Sequence, residues 1–234
     1  MLADLLKKAV ENVPDKPALA FSGGLDSSLL AFLLREKHPM LYTVGTAGCH
    51  DFSAGESAAE LLGLEWRKFE ISRDEIKQSI PIIKEAVKGL PDSIIVVSFT
   101  MPLYFVCKNC SENVVVSGQG PDSMFGGFER YLRMAPEDAQ REMRNGTLQV
   151  STEGKAQQEA VAAWFGKRAI LPYLDKRIVD YALTLPFEQK VRGDERKIVL
   201  KEAARELGLP EELVGRRKKS AQYSSGFMKV IRKR

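Results

Sequence analysis

Residues 17–28 set the strongest constraint on how this chain can fold. An apolar run, Pro17 to Ser22, stops at a glycine pair, and a helical pattern follows at once. Bounded by Pro and Gly-Gly, the run predicts a short buried strand; Leu29 to Arg35 predicts a helix with Ser27 and Ser28 near its start. Glycine reaches backbone angles that other residues avoid and lets a ligand approach the main chain. The free N–H groups of a helix start, with hydroxyls beside them and the helix dipole behind, complement an anion. Asp26 lies in the middle of this string, where a carboxylate repels phosphate unless a cation stands between them, and so it points to Mg²⁺. A bare Gly-Gly turn with Asp or Ser as a cap would be an ordinary strand–turn–helix. The full string Ser22-Gly23-Gly24-Leu25-Asp26-Ser27-Ser28, at the end of a first strand, reads as a phosphate loop. It is not a G-x-x-x-x-G-K-[ST] loop.

The same alternation continues. Met40 to Thr46 and Trp66 to Ile71 read as strands, Gly55 to Leu62 and Asp74 to Gly89 as helices. Thr100 to Cys110 carries apolar positions at helical spacing, and β-branched Asn113 to Ser117 reads as another buried strand. Strand and helix in turn predict an α/β fold, a doubly wound parallel sheet with right-handed crossovers. Later residues change character: Gly154 to Trp164, Lys176 to Leu185 and Glu195 to Leu207 read as helices, with Asp175 as an N-cap. Met134 to Gly154, rich in Arg, Glu, Gln and Asn, reads either as a mobile connection or lid, or as a solvated helix. The expected organisation is an α/β core over 1–150 and a helical C-terminal part over 151–234 packed on it.

At 44% hydrophobic and 28% charged residues, the chain sits with globular proteins. A net charge of +4 suits a polyanionic ligand without arguing for nucleic acid. No apolar run approaches the roughly 18 residues of a membrane helix. Met1 to Val10 reads as a lysine-bearing amphipathic helix rather than a signal peptide, and three cysteines do not make a disulfide scaffold, so the cytoplasm is expected.

The glycine string resembles the pyrophosphate loop of the N-type ATP pyrophosphatases, and more narrowly that of the asparagine synthetase group. Other stretches agree in order. Ser98 to Phe105, SFTMPLYF, is similar to the family's S-x-P-M-Y-L. Val115 to Tyr131, VVSGQGPDSMFGGFERY, is similar to V-L-S-G-E-G-x-D-E-x-F-G-G-Y. Leu171 to Pro186 resembles P-F-L-D-x-x-x-x-x-x-A-x-x-x-P, and Lys197 to Glu202 followed by Arg216-Arg217-Lys218 resembles the closing helix and basic loop. The resemblance spans residues 17–220 and implies an adenine nucleotide alpha hydrolase-like fold that uses ATP and Mg²⁺. It implies that Ser22, Gly23, Gly24, Leu25, Asp26, Ser27 and Ser28 grip pyrophosphate, and that Asp26 and Asp122 share the metal. Leu19, Val44 and Gly118 would surround adenine and ribose. Lys197 and Lys218 would neutralise departing pyrophosphate, although Arg216 to Lys219 taken alone could be a solvated basic run.

The sequence departs from that family in its acceptor half. There is no glutaminase domain and no Cys after Met1, which leaves free ammonia, another amine or a separate glutaminase subunit as the nitrogen source. Gly118-Gln119-Gly120 stands where the family has Gly-Glu-Gly, and an amide cannot accept a proton; general-base help is worth about 10²–10⁴ in rate. Pro121 precedes Asp122, and Ser123 replaces an acid. The expected function is an AMP- and pyrophosphate-forming amide ligase acting on a small acid or amide, with a homodimer allowed. Two alternatives stay open: a thiolating tRNA-modifying enzyme, and an ATP-binding subunit whose catalysis has decayed. Cys107-Lys108-Asn109-Cys110, with Cys49 and His50, has metal-pair spacing, but its context is a helix face. The basic runs at 216–219 and 232–234 lack any interleaved aromatic pattern, so nucleic acid is not expected as a partner.

Overall fold

Ala18 and Leu19 are wholly buried, and the strand they open is the centre of the sheet. In the computed structural model, which describes residues 1–89, 94–216 and 224–232, the first half runs as follows. It contains α1 (Leu2–Val10), β1 (Ala18–Ala20), α2 (Leu25–Leu33), β2 (Met40–Gly45), α3 (His50–Leu62), β3 (Trp66–Glu70), α4 (Arg73–Ala86), α5 (Ile94–Asn109) and β4 (Val114–Ser117). Next come α6 (Pro121–Met124), α7 (Pro136–Gln149), a π-turn (Val150–Gly154), α8 (Lys155–Trp164), β5 (Arg168–Ile170), α9 (Lys176–Thr184) and α10 (Phe187–Lys190). A hairpin of β6 (Val191–Arg192) and β7 (Glu195–Arg196) leads to α11 (Ile198–Leu207), α12 (Glu211–Val214) and α13 (Phe227–Ile231).

The five-stranded sheet has the order β3-β2-β1-β4-β5, with every pair parallel. This is the doubly wound α/β architecture expected from the alternation. Val115 and Val116 of β4 are as buried as β1, as strands covered on both faces must be. α2 and α3 pack on one another and on β1 to β3, while α5 packs on β1, β2 and β4 and on α4 and α8. β3 closes one edge with Arg67, Lys68 and Glu70, charges that suit an unpaired edge. One core cluster runs from Leu2 to Ile231, so the C-terminal helices share it with the sheet. No helix among the described residues is long and apolar enough to cross a membrane.

β1 and β4 are neighbours although strands β2 and β3 come between them in sequence. The strand order therefore reverses between them, and the crevice at their carboxyl ends is where open α/β sheets bind ligands. A chain of hydrogen bonds fixes the floor of that crevice. Trp66 Nε1 donates to Thr43 Oγ1 at 2.8 Å, and Thr43 Oγ1 donates to the Phe21 carbonyl at 2.7 Å, one residue before the glycine loop.

Three stretches differ from the sequence reading. β5 is only three residues with an exposed Arg168, too short and too polar to signal a strand. Glu195 and Arg196 do not begin the helix: Gly193, at φ 54°, turns the chain so that they pair back on Val191 and Arg192, and α11 starts at Ile198. Of the two readings for 134–154, the helix holds, started by Pro136 in its first turn and ended by the π-turn.

Burial holds several ionisable groups in their neutral forms. It pushes the Tyr42 and Tyr131 hydroxyls up to about 12, Glu112 adding to the effect at Tyr42, and it pushes the Cys107 thiol up to about 12. The unfolded chain releases these protons at about 8.5 for Cys and about 10 for Tyr. Their contribution to stability is therefore complete below pH about 8.5 and lost as pH rises toward 12. We expect the urea midpoint to fall steadily above pH about 9; a midpoint unchanged to pH 11 would contradict this burial.

Candidate active site

Gly23 has φ +68°, and a Cβ there would lie 2.2 Å from the Ala54 carbonyl oxygen and 2.6 Å from the Gly55 nitrogen. Both are main-chain atoms of α3, so only glycine permits this turn and this approach. The hydroxyls of the loop bind one another. Ser22 Oγ lies 3.3 Å from Ser27 Oγ, the Gly24 N–H donates to Ser22 Oγ at 3.4 Å, and Ser27 Oγ donates to the Gly24 carbonyl at 3.2 Å. Arg216, just past α12, ties the loop to α3. Its Nη1 donates to the carbonyls of Gly23 (3.0 Å) and Ala54 (2.7 Å), and its Nη2 to Ser57 Oγ (3.2 Å). Burial lowers the pKa of this guanidinium, and the two carbonyls answer its desolvation.

Asp26 lies in the first turn of α2 and Asp122 in α6, after neighbouring strands, and both reach the same ammonium. Lys197 Nζ is 2.6 and 2.5 Å from the two Asp26 oxygens and 2.8 Å from Asp122 Oδ1. Lys197 is 4% exposed and sits in the left-handed region, φ 59°, between β7 and α11. Burial pulls its pKa down, and Asp26 opposes that pull. Tyr173, wholly buried and pushed well above its ordinary pKa by burial and then by Asp26, stays protonated and donates to the Asp26 carbonyl at 2.9 Å. Space for the triad depends on Gly127, where a Cβ would lie 2.1 Å from Asp122 Oδ1 and 2.4 Å from Lys197 Cε. Gly126 (φ +74°) is confined in the same way, by Val191 Cγ2 at 2.6 Å, which gives the Phe-Gly-Gly string a steric meaning.

A cavity of about 880 Å³ opens over the loop and the triad, a size common for ligand sites. Ser22, Gly23, Gly24, Leu25, Asp26 and Ser27 line it, as do Val44, Gly118, Gln119, Asp122 and Lys197. Leu19 and Ser28 do not: both are wholly buried. Leu19 belongs to the core cluster of the sheet, and Ser28, one residue beyond Ser27 on α2, is equally enclosed. Lys218 lies outside the described residues. Two carboxylates and one ammonium leave an excess negative charge beside a donor-rich glycine loop, a donor set that suits a divalent cation held together with phosphate. Arg216, Tyr173 and Gly127 are among the site residues that the sequence reading did not single out, and for Gly127 the Gly-Gly pair beyond Asp122 was the available signal.

The cysteines stand elsewhere. Cys107 and Cys110 are buried at the end of α5 in the main core, Cys49 is the N-cap residue of α3, and no group of three candidate metal ligands forms among the described residues.

A family model, asparagine synthase, matches residues 1–170 and 156–231. A protein from Methanocaldococcus jannaschii, assigned provisionally as glutamine-hydrolyzing asparagine synthetase 1, is 28% identical over 259 residues, covering 94% of this chain and 47% of its own length. The glutamine-hydrolyzing asparagine synthetase 1 of Arabidopsis thaliana is 27% identical, with 95% of this chain and 41% of its own length covered. This chain thus spans less than half the length of these relatives. A solved structure from Methanocaldococcus jannaschii, titled as a predicted subunit of tRNA methyltransferase, is 16% identical with a TM-score of 0.41, covering 85% of this chain and 92% of that one. That superposition is too loose to support a shared role. With the family model matching nearly end to end over a parallel sheet, a glycine loop and a two-carboxylate crevice, the chain belongs to the asparagine synthase family.

Proposed function

We propose that this chain is an ATP-dependent ligase resembling asparagine synthetase: it transfers AMP to a small acid or amide, releases pyrophosphate, and passes the activated group to a nitrogen nucleophile. The observation that carries this reading is the meeting of Asp26 and Asp122 on one buried ammonium at the edge of the glycine loop. Membership in a family of ATP-dependent ligases supports it.

On this reading the N–H groups and hydroxyls from Ser22 to Ser27 receive the pyrophosphate. Val44 and Gly118, on the strand ends either side of β1, border the nucleoside. Asp26 and Asp122 would hold Mg²⁺, which when bound supplies charge neutralisation to the phosphates. Lys197 keeps its ammonium fixed where charge develops on the leaving group, and preorganised charge of this kind costs no rearrangement during reaction. Lys218 would add a second positive charge there. The acceptor oxygen displaces pyrophosphate at the α-phosphorus, and the nitrogen nucleophile then displaces AMP. Gln119 takes no proton, so the nucleophile enters neutral, as ammonia does when delivered free or by a separate glutaminase subunit.

Asp26→Ala removes a carboxylate from the metal pair and from Lys197. Pyrophosphate release in the presence of acceptor and ammonia is expected to drop by about 10²–10³ or more; a variant that keeps full release sinks the proposal. Gly127→Ala tests the shape of the triad without touching its charges. The clash is expected to cost about 1–3 kcal/mol and to weaken MgATP binding by calorimetry at least about tenfold, with the circular dichroism spectrum unchanged. Unaltered binding would mean that the triad does not hold the nucleotide's phosphates.

A further inference from the structure

Arg196 and Lys197 leave the β6–β7 hairpin one after the other, yet both line the cavity. Successive residues of a strand point to opposite faces, so a pair on one side needs a break in the strand between them. The left-handed backbone of Lys197, φ 59°, is that break. Lys197 is buried between Asp26 and Asp122, and Arg196 is half-buried beside it. Burial lowers the Lys197 pKa, and the neighbouring Arg196 charge adds to that effect while Asp26 opposes it. Arg196 Nη1 donates to the Gly127 carbonyl at 2.9 Å, and Gly127 is the residue whose missing Cβ leaves room for Asp122 Oδ1 and Lys197 Cε. The guanidinium is thereby fixed at the carboxylate end of the cavity.

Counting donors separates Arg196 from the other cations that line the cavity. Lys197 makes three bonds to carboxylate oxygens, as many as it has N–H groups. Arg216 makes three bonds, to the Gly23 and Ala54 carbonyls and to Ser57 Oγ. Arg130 and Lys201 are paired with Glu142 and Glu195. A guanidinium has five N–H donors, and Arg196 spends one of them, on Gly127, with no ion pair among the described residues. Glu129 and Asp194 also line the cavity; Glu129 is paired with Arg133, and neither forms an ion pair with Arg196. A fixed guanidinium with most of its donors unspent on a cavity wall is matched to an oxyanion, which it can grip through two parallel N–H bonds.

Resting on the ligase reading above, we infer that Arg196 is a leaving-group residue: its guanidinium binds the β- and γ-phosphates of ATP and stays on them as pyrophosphate departs. The bond from the α-phosphorus to the bridging oxygen breaks with its electron pair going to that oxygen, so negative charge on the pyrophosphate rises during transfer. Asp26, Asp122 and Lys197 together carry one net negative charge, which works against that rise. The glycine loop answers it with N–H groups. Arg196 answers it with a full positive charge that Gly127 already holds in place, so no rearrangement is needed at the moment of reaction. The hairpin gains a purpose on this reading. Gly193, at φ 54°, turns the chain back, and the left-handed step at Lys197 then delivers two cations in succession to one side.

The test is calorimetric titration of the purified chain with magnesium pyrophosphate, with AMP, which lacks the outer phosphates, and with Mn²⁺ alone, which probes the Asp26–Asp122 pair. Arg196→Gln is expected to weaken magnesium pyrophosphate binding by about 10–100-fold while AMP and Mn²⁺ affinities stay within about twofold. Arg196→Lys keeps the charge and loses the fork, so its pyrophosphate affinity should fall between the two, and it serves alone if the glutamine variant does not fold. Unchanged pyrophosphate affinity overturns the inference. An equal loss for Mn²⁺ also overturns it, because Arg196 would then only brace Gly127 and the carboxylates. Both of these outcomes leave the ligase reading standing. Failure of the unsubstituted chain to bind either MgATP or magnesium pyrophosphate overturns both.

Discussion

A buried ammonium shared by two carboxylates joins three segments that lie far apart in sequence. Lys197, Asp26 and Asp122 come from the turn after a hairpin, the start of α2 and the start of α6. Burying a lysine costs several kcal/mol unless charge and hydrogen bonds answer it, and removing one partner from such a group leaves the other uncompensated. Several local features follow from that demand. The left-handed backbone of Lys197, φ 59°, is an uncommon conformation for a side chain of this length, and it is the step that turns the hairpin into α11 with the ammonium facing inward. Gly127 leaves the volume that the ammonium and the Asp122 carboxylate occupy. Arg196, one residue before the lysine, donates to the Gly127 carbonyl at 2.9 Å and so holds the two sides of that volume together.

The glycine loop is held by a second, independent device. Its own hydroxyls bind within the loop at 3.2–3.4 Å, but its position relative to α3 depends on Arg216 from the far end of the chain. The loop therefore offers N–H donors, with the Arg216 guanidinium fixed on its Gly23 carbonyl, while the neighbouring triad offers negative charge. A site with these two polarities side by side is not matched to a simple anion, which the carboxylates repel, nor to a lone cation, which the N–H groups of the loop repel. It is matched to an anion that carries its own cation, as a nucleotide polyphosphate does.

How far the sequence revealed this depends on whether each feature is local. β1, β2 and β4 were legible because strands covered on both faces must be nearly continuous apolar runs, and the strand–Gly-Gly–helix string was legible because its backbone demands are local. The resemblance places Leu19 beside adenine and ribose and Ser28 in the glycine loop, but the exposure of neither is legible in the sequence. Whether a side chain reaches the cavity is set by strand alternation and helix rotation, and the structure buries both completely. The β6–β7 hairpin was hidden inside a helical pattern because one glycine, Gly193, decides it. Arg216 could be read only as part of a basic run, since the carbonyls it binds, at Gly23 and Ala54, are brought to it by the closure of the whole sheet.

The two halves of the cavity are also made in different ways, and this explains how one can change while the other stays fixed. One half lies at the ends of β1 and β4, where Gly23 and Gly127 have no room for a Cβ and the carboxylates of Asp26 and Asp122 are locked to Lys197. Substitution there meets main-chain atoms or an unpaired buried charge. The other half is presented by α7, the π-turn and α8, where a Cβ on Gly154 would meet only the side chains of Gln119 and Val150. A π-turn admits one extra residue per turn into a helix, which re-aims the residues after it without breaking the helix. Gln157 and Gln158 lie three and four residues beyond its last residue, Gly154. Gln119 lies on the seam, three residues before Asp122 on the fixed side and against Gly154 on the variable side. On the ligase reading proposed above, an amide at position 119 alters what this wall can bind, while Asp122 is held separately by Lys197.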